Sequence, residues 1–232
     1  QVDSINPLAY RWIGAVSGVG LIYVGYRLAL ELLNKKGFAL LVALFFAIDG
    51  SLLVDSRFGL INIYLTLFGF MAVLFFIRAI KSESRGQLLI SGLMLGAVIS
   101  IKWNGLGFWL ALLLFTLLLF VLNKARLYSD ENYKNHVLRQ ILPIFIMPFF
   151  IYLIIWMPEI AHNENTLSDK HSQMISYHFD NNDQKTHPYS SPWYTWPLMI
   201  RPVGYFFDSA SIVNAEGASL EIFKAIHLFP NP

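Results

Sequence analysis

Six long apolar segments, separated by short polar breaks, constrain the fold of this chain more than any other feature. The hydrocarbon core of a bilayer is about 30 Å thick, and an α-helix needs roughly 17 to 25 apolar residues to cross it. The sequence therefore predicts an all-α, multispanning transmembrane helix bundle, with the short second, fourth and fifth segments tilted or partly re-entrant. The segments run approximately from Ile13 to Leu33, Phe38 to Val54, Gly59 to Ile80, Leu88 to Trp103, Gly107 to Leu122 and Leu138 to Met157.

Composition excludes several other classes of protein. Only 14% of the residues are charged, against roughly a quarter in an ordinary soluble domain. The net charge is +2 and the basic residues form no stripe, which argues against a nucleic-acid partner. The chain has no cysteine, so it has no disulfide and no Cys-ligated metal site. Because the sequence also lacks nucleotide-binding and serine-hydrolase motifs, we expect no cofactor.

The basic residues beside the polar breaks predict the orientation of the bundle. Nine of them fall in alternate connections, whereas the intervening short turns carry only Arg57 and Lys102. By the positive-inside rule the first set faces the cytoplasm and the second faces out. The nine are Lys35, Lys36, Arg78, Lys81, Arg85, Lys124, Arg126, Lys134 and Arg139. We therefore expect a transmembrane bundle at residues 1–157, ending at the helix stop Met157-Pro158, and an extracytoplasmic loop at 158–232.

Arg57 and Lys102 are candidate ligands of a phosphate group. Each lies where an apolar segment meets the predicted outer surface, in the sequences DGSLLVDSR and SIKWNG. Arginine can hold phosphate oxygens in a bidentate fork and lysine adds a compact point charge, so the pair suits a lipid phosphate or pyrophosphate. The alternative is that both side chains snorkel to the headgroups while Asp55 pairs with Arg57.

The predicted outer loop contains a proline-rich aromatic segment, THPYSSPWYTWP, at residues 186–197. Rings beside polar groups suit a sugar, whose C–H face stacks on them, but an interfacial aromatic anchor has the same composition. The segment's His187, Trp193 and Trp196 are flanked by Tyr177, His178 and Arg201. His178 and His187 lack the i, i+4 spacing of a helical zinc site, so we expect no metal there.

Two pairs of glycines predict close contacts between helices. Gly14 and Gly18, and likewise Gly92 and Gly96, are separated by three residues. Small residues at this spacing let the backbones of two membrane helices approach.

Four blocks of this chain resemble the protein O-mannosyltransferase family, in its bacterial form. In chain order they are NPLAYRW, DGSLLVDSRFGLINIYL, LGAVISIKWNGL and YHFDNNDQKTHPYSSPWYTWPLMIRPVGYF. The resemblance covers nearly the whole chain and implies the multispanning glycosyltransferase architecture with an outward-facing active site. Eukaryotic members carry a β-trefoil insert in the large outer loop, and the residues after the last apolar segment show no run of short strands for it.

The resemblance implies an enzyme of the bacterial plasma membrane that moves mannose from polyprenyl-phosphate mannose to Ser or Thr hydroxyls of secreted or translocating proteins, with inversion. Arg57 and Lys102 would bind the donor phosphate. The substrate cleft would be shaped by His187, Trp193, Trp196 and Arg201, with Tyr177 and His178 near it. The family's acidic Asp-Glu pair, which would supply the base, lies upstream of NPLAYRW and is not in this sequence. We therefore assign no catalytic residue here, and expect this piece of a longer protein to be inert alone.

Two other functions remain open at this point. A transferase of the same architecture could use a different sugar or a lipid acceptor. A transporter would require charges buried in the middle of spans and paired broken helices in two repeats, whereas the charges here lie mainly in the outer turns.

Overall fold

The described residues fold mainly into helices, which confirms the all-α multispanning bundle. A computed structural model describes Asn6 and residues 8–122, 131–162, 166–179, 203–213 and 219–228, with positions 192, 194, 195 and 200; at 131–142 it describes the backbone. The helices are α1 (Leu8–Leu33), α2 (Lys36–Ile48), α3 (Gly50–Phe58), α4 (Asn62–Ser82), α5 (Arg85–Ile101), α6 (Leu106–Leu122), α7 (Glu131–His162) and α8 (Leu167–Phe179). A 3-10 turn (Trp103–Gly105) joins α5 to α6, and two strands follow, β1 (Val203–Val213) and β2 (Ser219–Leu228).

The second apolar segment, predicted from Phe38 to Val54 as tilted or partly re-entrant, is a broken helix. The axes of α2 and α3 meet at 55°, and within the described residues four helices are long and apolar enough to span a membrane, or five if this bent pair is one span. The break lies at Asp49, whose carboxylate accepts hydrogen bonds from the backbone N–H groups of Ser51 and Leu52 at 2.9 and 3.0 Å. An aspartate in this position starts a new helix even within an apolar run.

Helix α7 continues through Pro158 to His162, so the helix end predicted at Met157 is wrong. Proline has no N–H, and Pro148 therefore leaves the carbonyl of Ile144, four residues earlier, without its helical donor. The indole Nε1 of Trp109 in α6 donates to that carbonyl at 3.0 Å. A neighbouring helix thus satisfies the acceptor that the proline freed, as an apolar environment requires.

The predicted glycine contact of α1 is confirmed, and its partner is α3. A Cβ atom at Gly14 would lie 2.8 Å from the backbone oxygen of Ser56, and one at Gly18 would lie 2.8 Å from the Ser56 Cβ. Both distances are too short for any side chain, so glycine is required on this face of α1. We call this contact the α1–α3 seam.

The second glycine pair packs α5 against α7. A Cβ atom at Gly92 would lie 2.6 Å from the backbone oxygen of Pro143, and one at Gly96 would lie 2.5 Å from the Ile151 Cβ. This α5–α7 seam brings the carboxyl end of α5 beside the later turns of α7. Buried side chains on α4, α5, α6 and α7 form the core next to it: Ala72, Phe76, Ala79, Leu88, Leu95, Leu112 and Ile144.

The charged residues collect at opposite ends of the bundle. At the basic end, Glu31 near the carboxyl terminus of α1 contacts Arg78 near that of α4. The aromatic end holds α3, the junction of α5 with α6, the later turns of α7, and α8; Arg57 and Lys102 lie here. The described members of the two sets, among them Arg78 and Lys81 in one and Arg57 and Lys102 in the other, therefore lie at opposite ends of the bundle. The assignment of the basic end to the cytoplasm stays a prediction.

An antiparallel hairpin in the last part of the chain was not predicted. Val203 pairs with Leu228 and Val213 with Ser219, with a bulge between Gly204 and Phe206. β2 contacts α3, which places the hairpin at the aromatic end.

Candidate functional site

The site begins at Arg57, in the last turn of α3. The preceding residue, Ser56, is buried in the α1–α3 seam. Successive helical residues point about 100° apart, so Arg57 leaves the seam, and its side chain is exposed. The helix then stops at Gly59, whose φ of 68° is a left-handed conformation suited to glycine. The short α3 therefore presents one arginine at the aromatic end.

Asp55, two residues before Arg57, is buried with 8% of its surface exposed. The snorkelling interpretation pairs it with Arg57, and the salt bridges of the described residues include no such pair. Arg57 is therefore not neutralised by its nearest acidic neighbour in sequence.

Lys102 occupies the turn between α5 and α6. Its backbone is extended, with φ −162° and ψ 143°, and its carbonyl accepts from the N–H of Gly105 at 2.8 Å. Gly105 is buried against Val98, and a side chain at this position would collide with Val98 and prevent the chain from reversing here. The Lys102 side chain is exposed on the outside of this reversal.

Topology places the two predicted cations at one end on separate elements. α4 starts directly after α3 and packs against α5, to which it is joined by a tight turn at the other end. The start of α4 and the end of α5 therefore lie at the same end of the bundle. Arg11, which sequence reasoning did not single out, lies here too, with its guanidinium 6.0 Å from the centre of the Phe58 ring. Positive charges gathered in this way can attract an anion.

A hydrogen-bonded chain beside Lys102 was missed by sequence reasoning. The Nε1 of Trp103 donates to the hydroxyl of Tyr152 at 3.4 Å, and that hydroxyl lies 2.7 Å from the Nε2 of His171. The Nδ1 of His171 lies 2.7 Å from the carbonyl of Leu167. A carbonyl can only accept, so Nδ1 carries the hydrogen, and in the neutral imidazole Nε2 accepts from Tyr152.

Aromatic rings enclose the same histidine. The His171 ring centre lies 5.9 Å from that of Trp103 and 5.5 Å from that of Trp156. Tyr152 is buried and belongs to α7, whereas His171 belongs to α8. The cluster therefore fixes α8 against α7 and against the turn that carries Lys102.

A cleft of about 600 Å³ opens next to this cluster, between the end of α5, α7 and α8. The carboxylate of Glu159 and the ammonium of Lys170 form an ion pair at 3.1 Å. Tyr177, one of the predicted cleft residues, is in its lining. The lining consists of Ser100, Ile155, Trp156, Glu159, Lys170, Gln173, Met174 and Tyr177.

The other predicted cleft residues are not placed by the structure. His178 belongs to α8, but its side chain lies outside the described residues. His187, Trp193, Trp196 and Arg201 also lie outside them. Their role in binding a substrate stays a prediction.

The start of α8 is stabilised by a reciprocal cap. The backbone N–H of Thr166 donates to the carboxylate of Asp169 at 3.0 Å, and the N–H of Asp169 donates to the Thr166 hydroxyl at 3.2 Å. Hydrogen bonds from the side chain and backbone of Thr166 lower the pKa of Asp169 below its usual 3.8. The cap fixes the first turn of the helix that carries Lys170 and His171.

Exposed cations and an aromatic cleft lie at one end of the helical bundle, and their charge and shape suit an anionic ligand. The family model described as dolichyl-phosphate-mannose-protein mannosyltransferase matches residues 1–162, which include both cationic turns. The chain belongs to this protein mannosyltransferase family.

Individual relatives agree with the family. A polyprenol-phosphate-mannose–protein mannosyltransferase of Mycolicibacterium smegmatis is 24% identical, over 98% of this chain and 54% of that protein. The protein of the same description from Corynebacterium glutamicum is 23% identical, over 100% of this chain and 54% of its own length. Protein O-mannosyl-transferase 1 of Mus musculus is 26% identical, over 62% of this chain and 20% of its own length. The chain thus spans 54% of the length of its bacterial relatives.

Proposed function

We propose that the whole protein transfers mannose from polyprenyl-phosphate mannose to Ser or Thr hydroxyl groups of secreted or translocating proteins. The observation that carries this proposal is the family match over residues 1–162, which spans both exposed cations of the aromatic end. The descriptions of the bacterial relatives supply the donor and the class of acceptor.

In this proposal Arg57 and Lys102 act on the leaving group. When the bond between the anomeric carbon and the phosphate oxygen breaks, negative charge grows on the polyprenyl phosphate. Fixed cations stabilise that charge more in the transition state than in the bound donor, and so accelerate the reaction. Arg57 offers a bidentate fork and Lys102 a point charge.

Transfer with inversion requires the acceptor hydroxyl to attack on the face opposite the phosphate. A carboxylate must remove the hydroxyl proton on that side. The family resemblance assigns this role to the acidic pair upstream of the NPLAYRW block. Arg57 and Lys102 then stabilise the phosphate leaving group, and the proposed reaction uses neither a nucleotide nor a metal ion.

We further propose that the aromatic end faces the extracytoplasmic side of a bacterial plasma membrane. The support is the asymmetry of the basic residues, because connections rich in Lys and Arg stay in the cytoplasm. A transporter is not favoured, since Arg57 and Lys102 lie at the ends of helices rather than in the middle of spans.

The test is mannosyl transfer in membranes containing the full-length parent. Radiolabelled polyprenyl-phosphate mannose and a Ser/Thr peptide are supplied to wild type, Arg57→Ala and Lys102→Ala. We expect each substitution to lower the transfer rate about 100-fold at unchanged protein level, the scale of losing one preorganised electrostatic contact. Arg85→Ala is the matched control, because Arg85 is an exposed arginine at the basic end, and it should retain wild-type transfer.

Three outcomes would contradict parts of the proposal. Variants that match wild type would show that the two cations only snorkel. Label in a lipid product instead of the peptide would make the acceptor wrong. Loss of transfer in Arg85→Ala as large as in Arg57→Ala would mean that the assay reports membrane insertion rather than phosphate binding.

A further inference from the structure

The basic end holds a carboxylate that is shared by three cations. The Nε of Arg78 lies 2.8 Å from Oε1 of Glu31, and Nη2 of Arg27 lies 4.0 Å from the same oxygen. The ammonium of Lys81 lies 4.0 Å from Oε2 of Glu31 and also donates to the Glu31 backbone oxygen. One carboxylate neutralises one of these charges, so the cluster stays positive. We call these four residues the Glu31 cluster.

Residues next to the Glu31 cluster add further positive charge. Lys35 follows α1, and Arg85 begins α5 at the same end. Glu83, in the turn between α4 and α5, is the one other carboxylate in these connections. The electrostatic field at this end of the bundle is therefore cationic beyond what the described protein groups compensate.

Unsatisfied hydrogen-bonding atoms coincide with this excess charge. In the described part of the chain, the buried side-chain atoms that lack a hydrogen-bond partner are Arg27 Nε, Arg78 Nη2 and Gln87 Oε1. All three lie at the basic end. Buried donors ordinarily have a partner, and two of these three are guanidinium donors, for which the oxygens of a phosphate are suitable acceptors.

The surroundings of the cluster are apolar and open. The guanidinium of Arg27 lies 5.9 Å from the centre of the Tyr23 ring, and Leu32 and Leu33 near the end of α1 are exposed. Exposed leucines beside partly buried arginines are suited to a molecule that has an acyl chain next to an anionic group.

We propose that the Glu31 cluster binds the phosphate of an anionic phospholipid, with the acyl chains along the exposed apolar surface at the end of α1. The site is separate from the proposed mannosyl transfer, which occupies the opposite end. The side chains of Arg27 and Lys81, 35% and 53% exposed, carry positive charge that Glu31 does not neutralise, and the buried Arg27 Nε and Arg78 Nη2 lie behind them without a partner. The ligand class follows from the excess charge, the unsatisfied donors and the adjoining apolar surface.

The experiment counts lipids retained by the purified chain in native mass spectrometry. Phosphatidylglycerol and phosphatidylcholine with identical acyl chains are compared for wild type, for Arg27→Gln/Lys81→Gln and for the control Lys36→Gln. Lys36 is an exposed cation at the same end, outside the cluster. We expect wild type and Lys36→Gln to retain phosphatidylglycerol at least about tenfold better than phosphatidylcholine, and the double variant to lose that preference, because lysine and arginine side chains supply the attraction for an anionic headgroup.

Helical circular dichroism checks that each variant is folded. A second check is the single variant Lys81→Gln, whose exposed side chain can be removed without opening the core. This variant should lower the preference by an intermediate factor. Equal retention of the two lipids by wild type would overturn the proposal, as would a loss in Lys36→Gln equal to that in the double variant. If millimolar inorganic phosphate displaces phosphatidylglycerol, the site binds free phosphate and the proposal of a lipid ligand is overturned.

Discussion

The two ends of the bundle use similar cationic side chains in different ways. At the basic end, Arg78 and Glu31 are 21% and 25% exposed and form a direct ion pair between α1 and α4. At the aromatic end, Arg57 and Lys102 are exposed, and α8 is held against α7 by hydrogen bonds and rings around His171 together with the Glu159–Lys170 ion pair. Arg78 therefore contributes to the fold, whereas Arg57 and Lys102 are left accessible to a ligand.

The difference has a physical cause. One carboxylate neutralises one cation, so the Arg78–Glu31 pair is mainly a contact between helices, and the positive charge left in the Glu31 cluster belongs to Arg27 and Lys81. A neutral network such as Trp103, Tyr152 and His171 can position a nearby turn without competing with an anion for the lysine beside it. We therefore expect substitutions in the Arg78–Glu31 pair to lower stability, and substitutions of Arg57 or Lys102 to lower activity with little effect on stability.

The largest effect on stability is expected in the α5–α7 seam, which positions the Lys102 turn. Gly96→Val would place methyl groups where even a single Cβ atom would lie 2.5 Å from the Cβ of Ile151. Overpacking usually costs about 1–3 kcal/mol and occasionally more; because even the Cβ atom has no room here, we expect Gly96→Val to cost about 3 kcal/mol or more, measured by thermal unfolding in detergent. Gly107→Val in α6 is the control, because nothing lies within 4 Å of a Cβ there. Equal melting temperatures for the two variants would refute the close contact.

The next effect distinguishes the two ends directly. Glu31→Gln leaves three cations without their shared carboxylate, and should lower the free energy of unfolding by about 1.5–3 kcal/mol, the scale of a hydrogen bond to a charged group. Arg57→Gln should change it by less than about 0.5 kcal/mol, as for other surface positions. Denaturant unfolding at low and high salt measures both. If Arg57→Gln is as destabilising as Glu31→Gln, the arginine is part of the structure and not free for a ligand.

A smaller effect is expected at the hydrogen-bonded chain. Tyr152→Phe removes the hydroxyl between Trp103 and His171 and should cost about 1 kcal/mol, the typical net value of a neutral hydrogen bond. The loss should not depend on salt, in contrast to that of Glu31→Gln. Hydrogen exchange of α8 measures the weakened docking, with Tyr26→Phe in α1 as the matched control. A strong salt dependence for Tyr152→Phe would show that the two ends are stabilised alike.

The sequence was sufficient for features that depend on local composition. Apolar length located the membrane-spanning helices of the bundle, and the three-residue spacing of Gly92 and Gly96 identified a close helix contact, because both signals lie within one helix. The short second segment was predicted to be tilted or re-entrant. The position of its bend at Asp49 was missed although Asp-Gly-Ser is a helix-start pattern, since the apolar residues on both sides are typical of a single span.

The features that the sequence did not reveal depend on distant pairs. Trp103 and Tyr152 are 49 residues apart, and Tyr152 and His171 are 19 apart, so no local spacing indicates their cluster. The hairpin likewise joins residues as distant as Val203 and Leu228. The placement of Arg57 and Lys102 at one end could be predicted, because it follows from the alternation of helix directions alone.

The indole–carbonyl contact between Trp109 and Ile144 has a consequence for biogenesis. Until α6 supplies its N–H, the carbonyl freed by Pro148 faces lipid, and such an unsatisfied group costs several kcal/mol. α6 precedes α7 in the chain, so the donor is already in the membrane when α7 leaves the translocation channel. We expect α6 to act as a template for α7, and a Trp109→Phe chain carrying a topology reporter after α7 should show failed insertion. The order of synthesis thus provides the hydrogen-bond donor in α6 before the proline-containing helix α7 enters the membrane.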